Sequence, residues 1–468
     1  MSAVSVPHPS LRAQSLAECG SLIALALPLV AGLAASTMMM LVDTAMLGPL
    51  GPVPLAAVSL TTSFLIIVYA ALYGFLGPVA ILVGQAHGAK DDAAVARIVL
   101  HGYGLAAAVG AAGAALLALV LFALPWFGQP PAVLAVIGPY WLWMAASLVP
   151  FCISLVFKNW FDAIDRPWVG VGFMGLTLAF KALLNQALIG GDFGAPALGL
   201  TGAGVASFFA TALGLAAMAI YAYAAPSMRR YRTPQRLARA GFAAQLREGV
   251  PMGVQYFLEG GAVALASVMI GWLGAVALAA NQIAFSFGAL LYMLPLGMAA
   301  AVSIRVAQAV GEGAGMRVGP IGLAALGLVT LWTVAFSLVL VLEGARIAAW
   351  FVDDAAVIAV TAGIFFTFGL MQVFDGVQSV ALGALRGMLD NRWPTNVSLI
   401  AYWLVALPAA YLIGFPLGFG AAGVWFGFGL GLMVAAAMLI WRFRRKSGLA
   451  LRTRAGRSRT TVKNDGNA

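Results

Sequence analysis

A chain of 468 residues that is 62% hydrophobic and only 9% charged, with a mean hydropathy of +0.97, has the composition of a polytopic membrane protein and excludes a large soluble domain. The net charge of +10 does not make it a nucleic-acid binder. Nine of the 26 Lys and Arg residues lie from Arg442 to Lys463 and six more from Arg229 to Arg247, so the charge sits in two short segments and in loops.

Twelve apolar stretches read as membrane spans, at about 21–47, 54–86, 95–124, 131–158, 168–189, 198–224, 249–271, 275–309, 318–342, 355–385, 395–414 and 419–441. Each is long enough to cross about 30 Å of hydrocarbon. The fold class expected is all-α, with six helices in each of two lobes. Span 1 is too long for a signal-peptide core and no small-residue cleavage site precedes Asp43, so it is expected to be retained. Span 2 is followed by Lys90 and Arg97, and span 4 by Lys158 and Arg166. Arg305 and Arg317 flank the end of span 8, and Arg386 and Arg392 follow span 10. The opposite loops hold almost no cations; Arg346 sits there beside Glu343, Asp353 and Asp354. This alternation is the positive-inside pattern and puts both termini and the central linker in the cytoplasm. The linker and tail then suit anionic lipid headgroups. Asp162, Asp165, Asp390 and Glu312, near cytoplasmic span ends, read as surface pairing partners.

Three carboxylates interrupt the apolar stretches: Asp43 on span 1, Glu259 on span 7 and Asp375 on span 10. An ionised carboxylate is costly in hydrocarbon and normally faces a protein interior or wet cavity, where it binds something. Lys181 and Asn185 on span 5 are four residues apart and share a helix face. A lysine there wants a partner, and an ion pair with Asp43 competes with snorkelling to the interface. Two cysteines, Cys19 and Cys152, make neither a disulfide framework nor a metal site, and the histidines (His8, His87, His101) are scattered. No Walker A, HExxH or CxxC motif is present. The chain has no room for a nucleotide domain, so energy for transport would come from an ion gradient or a partner. No cofactor is expected beyond the coupling ion.

Shifted by 223 residues, the sequence matches itself. Gly48–Gly88 falls on Gly271–Gly311 without a gap, with 17 of 41 positions identical, among them Tyr69/Tyr292 and Gln85/Gln308. The expected division is a lobe over 1–225, a basic linker over 226–247, a second lobe over 248–445 and a basic disordered tail over 446–468. Six spans per half make the repeats parallel, with substrate between or within the lobes. Pro28, Pro150, Pro251 and Pro295 mark expected bends.

These features resemble the multidrug and toxic compound extrusion (MATE) family, NorM-type branch, over about residues 20–440. The resemblance rests on Val42-Asp43-Thr44-Ala45-Met46-Leu47-Gly48 and Leu55-Ala56-Ala57-Val58-Ser59 in the first half. In the second it rests on Pro251 with Glu259, Ala279-Ala280-Asn281-Gln282, Ala301-Val302-Ser303-Ile304-Arg305-Val306, Gly311-Glu312, Asp375-Gly376-Val377-Gln378 and Leu385-Arg386-Gly387. It implies antiport, in which H⁺ or Na⁺ enters while an organic, often cationic, compound leaves. It places the cation site at Glu259 and Asp375, which would also be the Na⁺ site if sodium is the ion. Asp43 is a third coupling candidate. Two departures stand out. Lys181 occupies a position where the branch often has asparagine. Met371, one turn before Asp375, replaces a tyrosine and removes an oxygen, which favours H⁺. Gln282, Asn185, Lys181, Met371 and Tyr292 are candidate cavity or substrate residues. The methionines Met38, Met39, Met40, Met293 and Met298 offer an adaptable surface or plain packing. Trp141, Trp160, Phe161 and Phe374 offer stacking platforms or interface anchors.

The competing functions are a lipid-linked oligosaccharide flippase of the same superfamily, a DinF-type relative, and a channel or structural membrane protein. A flippase cavity is expected to be cationic, whereas Lys181 is the one mid-span cation read against three acids. Asp43 corresponds to Ala266 in the second half, an asymmetry that favours a transporter over a channel. A bacterial-type inner membrane, a monomer and no nucleic-acid partner complete the expectation.

Overall fold

The computed structural model describes residues 11–127 and 129–464, with side chains over 14–126 and 129–448. Among the described residues twelve helices are long and apolar enough to span a membrane: α1 Gln14–Leu50, α2 Pro52–Gly88, α3 Asp92–Trp126, α4 Pro131–Ala163, α5 Pro167–Gly190, α6 Gly199–Ala224, α7 Arg239–Gly271, α8 Ala275–Gly311, α9 Gly315–Ala349, α10 Ala355–Gly387, α11 Arg392–Gly414 and α12 Gly420–Gly448. Among the described residues there is no strand.

The helix starts are written in local chemistry. Prolines open α2, α4 and α5, where a missing N–H costs nothing. Asp91 caps α3 by accepting from the Ala94 amide at 2.8 Å, and Asp354 caps α10 through the Ala356 amide at 2.8 Å, each satisfying an orphan donor of the first turn. The repeat reaches the backbone. Gly51 precedes α2 with φ of 97° and ψ of −179°, and Gly274 precedes α8 with φ of 105° and ψ of 177°. The two lie 223 residues apart and share a conformation open essentially to glycine alone.

The helices form two compact units. One is Pro28–Phe257; the other gathers the chain from Leu258 onward with the part of α1 up to Leu27. These limits differ from the sequence boundaries at 225 and 248, because α1 and α7 each pass from one unit to the other. In the first unit, α7 begins at Arg239, within the stretch read as linker. Gln245 Nε2 donates to the Ile98 carbonyl at 2.7 Å and His101 Nε2 accepts from the Ala238 amide at 2.9 Å. The remaining linker is anchored by Tyr231, whose hydroxyl is 3.2 Å from His87 Nδ1. The largely aliphatic core of this unit contains an aromatic cluster. Trp141 Nε1 donates to the Leu117 carbonyl at 2.7 Å, and Trp160 stacks on Phe161 with ring centroids 5.6 Å apart. All three side chains are buried and serve packing.

In the second unit α10 is central, lying against α8, α9 and α12. Glu18 on α1 is buried and accepts from Arg317 Nη2 at 2.7 Å and Arg305 Nη2 at 3.5 Å. The final helix continues past α12 to Asn464, into the stretch read as a disordered tail. Its start is tied down by Asp390, which pairs with Arg442 at 2.8 Å and Lys446 at 3.0 Å. Residues 465–468 lie outside the described residues.

Close helix contact comes from glycines. A Cβ at Gly427 of α12 would stand 2.3 Å from the Ala410 amide nitrogen of α11, a backbone atom that no rotamer change can move aside. Gly427→Ala is therefore expected to destabilise the protein by roughly 1–3 kcal/mol, the usual cost of overpacking. A lowered melting temperature in detergent is the measurement; an unchanged one would mean that α11 and α12 separate at little cost.

Candidate functional site

The three acids that interrupt the apolar stretches, Asp43, Glu259 and Asp375, occupy two different settings. In the first unit, Lys181 Nζ lies 2.6 Å from Asp43 Oδ2 and Asn185 Nδ2 donates to Asp43 Oδ1 at 3.0 Å. Both charged side chains are only 11% exposed. The four-residue spacing puts Lys181 and Asn185 on one face of α5, so α5 supplies both donors to a single carboxylate on α1. The lysine does not snorkel.

In the second unit, Glu259 and Asp375 line one cavity of about 200 Å³ with Tyr292, Met371, Gln372 and Tyr402. Its remaining wall is apolar: Val263, Phe285, Phe368, Trp425, Phe428 and Leu432 among others. Helical geometry explains the convergence. Met371 and Gln372 precede Asp375 by four and three residues and Gln378 and Ser379 follow it by three and four, so α10 presents them on one face. Tyr292 on α8 bonds Ser379 Oγ at 2.8 Å, and Tyr402 on α11 bonds the Gln378 amide, with Nε2 at 2.6 Å. Trp425 closes one side, its Nε1 donating to Asn281 Oδ1 at 2.8 Å. Arg386, further along α10, is also buried. Among the described residues neither Glu259 nor Asp375 has a cationic side chain within 4.0 Å. The donor set of carboxylates, hydroxyls and an amide is all oxygen on its accepting side, as a hard monovalent cation or a proton requires.

Most residues expected at the site find a place in one of these settings; Gln282 does not. It is exposed on α8 and its nearest side-chain partner is Ser286 Oγ, one turn away at 3.4 Å. Asp162 and Asp390 are buried and are not surface pairing partners. Asp162 meets Lys158 at 2.6 Å, and Lys158 lies inside α4. Lys181 is thus joined by a second lysine within a span. Tyr402 and Gln372 were missed. Gln372 was open to detection as a polar residue one turn from Asp375, whereas a tyrosine in an aromatic span gives no such signal.

Twelve apolar helices with acids on an internal cavity define a class, the multi-pass membrane transporter. The MatE family model matches residues 28–186 and 251–412. The chain belongs to the MatE family, whose members are secondary transporters rather than enzymes. A relative from Rhizobium meliloti bearing the name "Probable multidrug resistance protein NorM" is 33% identical over 411 residues, covering 86% of this chain and 88% of its own length. One of the same name from Pseudomonas putida is 32% identical over 455 residues, covering 94% of this chain and 98% of its own. The Vibrio cholerae MATE transporter VcmN in its bent form shares the fold, with a TM-score of 0.81 at 20% identity, over 94% of this chain and 98% of that one.

Proposed function

We propose that this protein is a cation-coupled exporter of organic, often cationic, compounds that works by alternating access. The observation carrying this reading is the pair of acids on one cavity with no cationic side chain within 4.0 Å of either among the described residues. A carboxylate in low dielectric is costly when ionised and empty, so Glu259 and Asp375 favour states that hold a proton or a small cation. Binding of that ion and binding of the substrate then favour different conformations, and the gradient of one drives the other. Asp43, already paired with the Lys181 ammonium and hydrogen-bonded by Asn185, is the weaker coupling candidate. Met371 contributes no oxygen, which favours H⁺ over Na⁺. The NorM names of the relatives support a multidrug substrate range.

The test is efflux from proteoliposomes under a pure pH gradient and, separately, a pure Na⁺ gradient. Export under the pH gradient alone is expected; export under neither would overturn the reading.

The cation distribution supports cytoplasmic termini and anionic lipids against the linker and tail; a bacterial-type inner membrane and a monomeric functional unit complete the proposal. In a background with Cys19 replaced by Ser, Ser227→Cys is expected to be labelled only after permeabilisation and Ala195→Cys from outside. The reverse pattern would refute this topology.

A further inference from the structure

The α11 helix is not regular. Leu399–Ala406 is a π-helix, a widened turn with i→i+5 bonding that is rare and concentrates at functional sites. Its local cause lies just beyond it, at Pro408, which cannot donate to a carbonyl one turn back and crowds it. Two consecutive residues of the widened turn reach the same turn of α7. Trp403 Nε1 donates to the Leu258 carbonyl at 3.0 Å, and Tyr402 lines the same cavity as Glu259, the residue that follows Leu258. Tyr402 is 1% exposed, so its hydroxyl must be satisfied internally. The Gln378 amide supplies both options: Nε2 stands 2.6 Å away as a donor and Oε1 3.0 Å away as an acceptor.

We propose that the π-turn of α11 is a positioning device for Glu259, with Tyr402 as a two-way hydroxyl shared between Glu259 and Gln378. This rests on the coupling role proposed for Glu259. When the carboxyl is ionised, Tyr402 accepts from Gln378 Nε2 and donates its proton towards Glu259. When the carboxyl holds a proton or a cation, the hydroxyl turns its proton to Gln378 Oε1. No covalent bond changes and the phenol stays neutral throughout. The hydrogen bond made only to the ionised form selects how readily Glu259 takes up its ion. Trp403 holds the backbone of the same turn, so the carboxyl keeps its place between the two states. Gln378 lies one turn from Asp375, so the occupancy of Glu259 is passed to the helix carrying the second acid.

Tyr402→Phe removes the hydroxyl and leaves the ring packed against Phe428, 5.7 Å away between centroids. The expected result is a shift of about tenfold in the ion concentration giving half-maximal export, with substrate KM unchanged, and no further shift when the change is made in Glu259→Gln. Gln378→Met removes the other partner and carries the same expectation, including where Tyr402→Phe does not accumulate. If Glu259→Gln abolishes coupling while both variants keep the wild-type ion dependence, the positioning role is wrong and the coupling site stands. If Glu259→Gln itself exports normally, the coupling site falls and the positioning role with it.

Discussion

Asp375→Asn, and separately Glu259→Gln, is expected to abolish gradient-driven export while the protein still folds and binds substrate. Each change keeps shape and most hydrogen bonding but removes the group that holds the ion. Coupling between two ligands is typically worth about 1–3 kcal/mol, a factor of about 5–150 in affinity, and without that term a gradient of one ligand cannot move the other. Stability should not suffer, because the charge removed has no cationic partner within 4.0 Å among the described residues. Loss of efflux with an unchanged melting temperature is therefore the signature, read in the same proteoliposomes. Normal gradient-driven efflux by both variants would mean that the ion is held elsewhere.

The N-unit acid should behave in the opposite way, with stability as the main casualty. Asp43→Asn leaves the Lys181 ammonium, only 11% exposed, facing a neutral amide. Breaking one side of a buried pair typically costs about 3–5 kcal/mol, and a large fall in yield and melting temperature is expected. Lys181→Asn should be milder, because Asn185 still donates to Asp43 Oδ1 at 3.0 Å. It should also make export more pH-dependent, since the carboxylate has lost its compensating charge. The double change Asp43→Asn/Lys181→Asn should recover most of the loss. The measurement is a double-mutant cycle on thermal stability in detergent. Strict additivity would mean that the side chains do not interact, and Asp43 would return as a coupling residue.

The Asp43–Lys181 contact was legible because opposite charges in two apolar spans have few other ways to be satisfied. The helices were legible for a related reason: runs bounded by Gly, Pro and cations leave little choice of element. What failed was depth. Lys158 was read as a loop cation because it ends an apolar run, yet Asp162 one turn later lets α4 carry both charges inside. Asp390 looked like a surface acid because Arg442 and Lys446 are about fifty residues away in sequence. Tyr402 could not be singled out at all. Its direction depends on an extra residue per turn in Leu399–Ala406, and an all-apolar segment shows no shift in hydrophobic phase when its helix widens. Gln282, read as a cavity liner or a helix hydrogen-bonding group, lies exposed on α8 with Ser286 one turn on as a local partner.

The contact of Glu18 with Arg305 and Arg317 sets a schedule for synthesis. The arginines follow Glu18 by 287 and 299 residues. At about 5–20 residues per second, the ribosome needs roughly 15–60 s to deliver them. For that interval the first helix has emerged with a carboxylate whose counter-charges do not yet exist, while Asp43 further along the same helix finds Lys181 after fewer than half as many residues. The C-terminal end of α1 can thus settle long before its N-terminal end. A nascent chain arrested before residue 305 should leave Glu18 open to water and to insertion machinery, and release past Arg317 should close it.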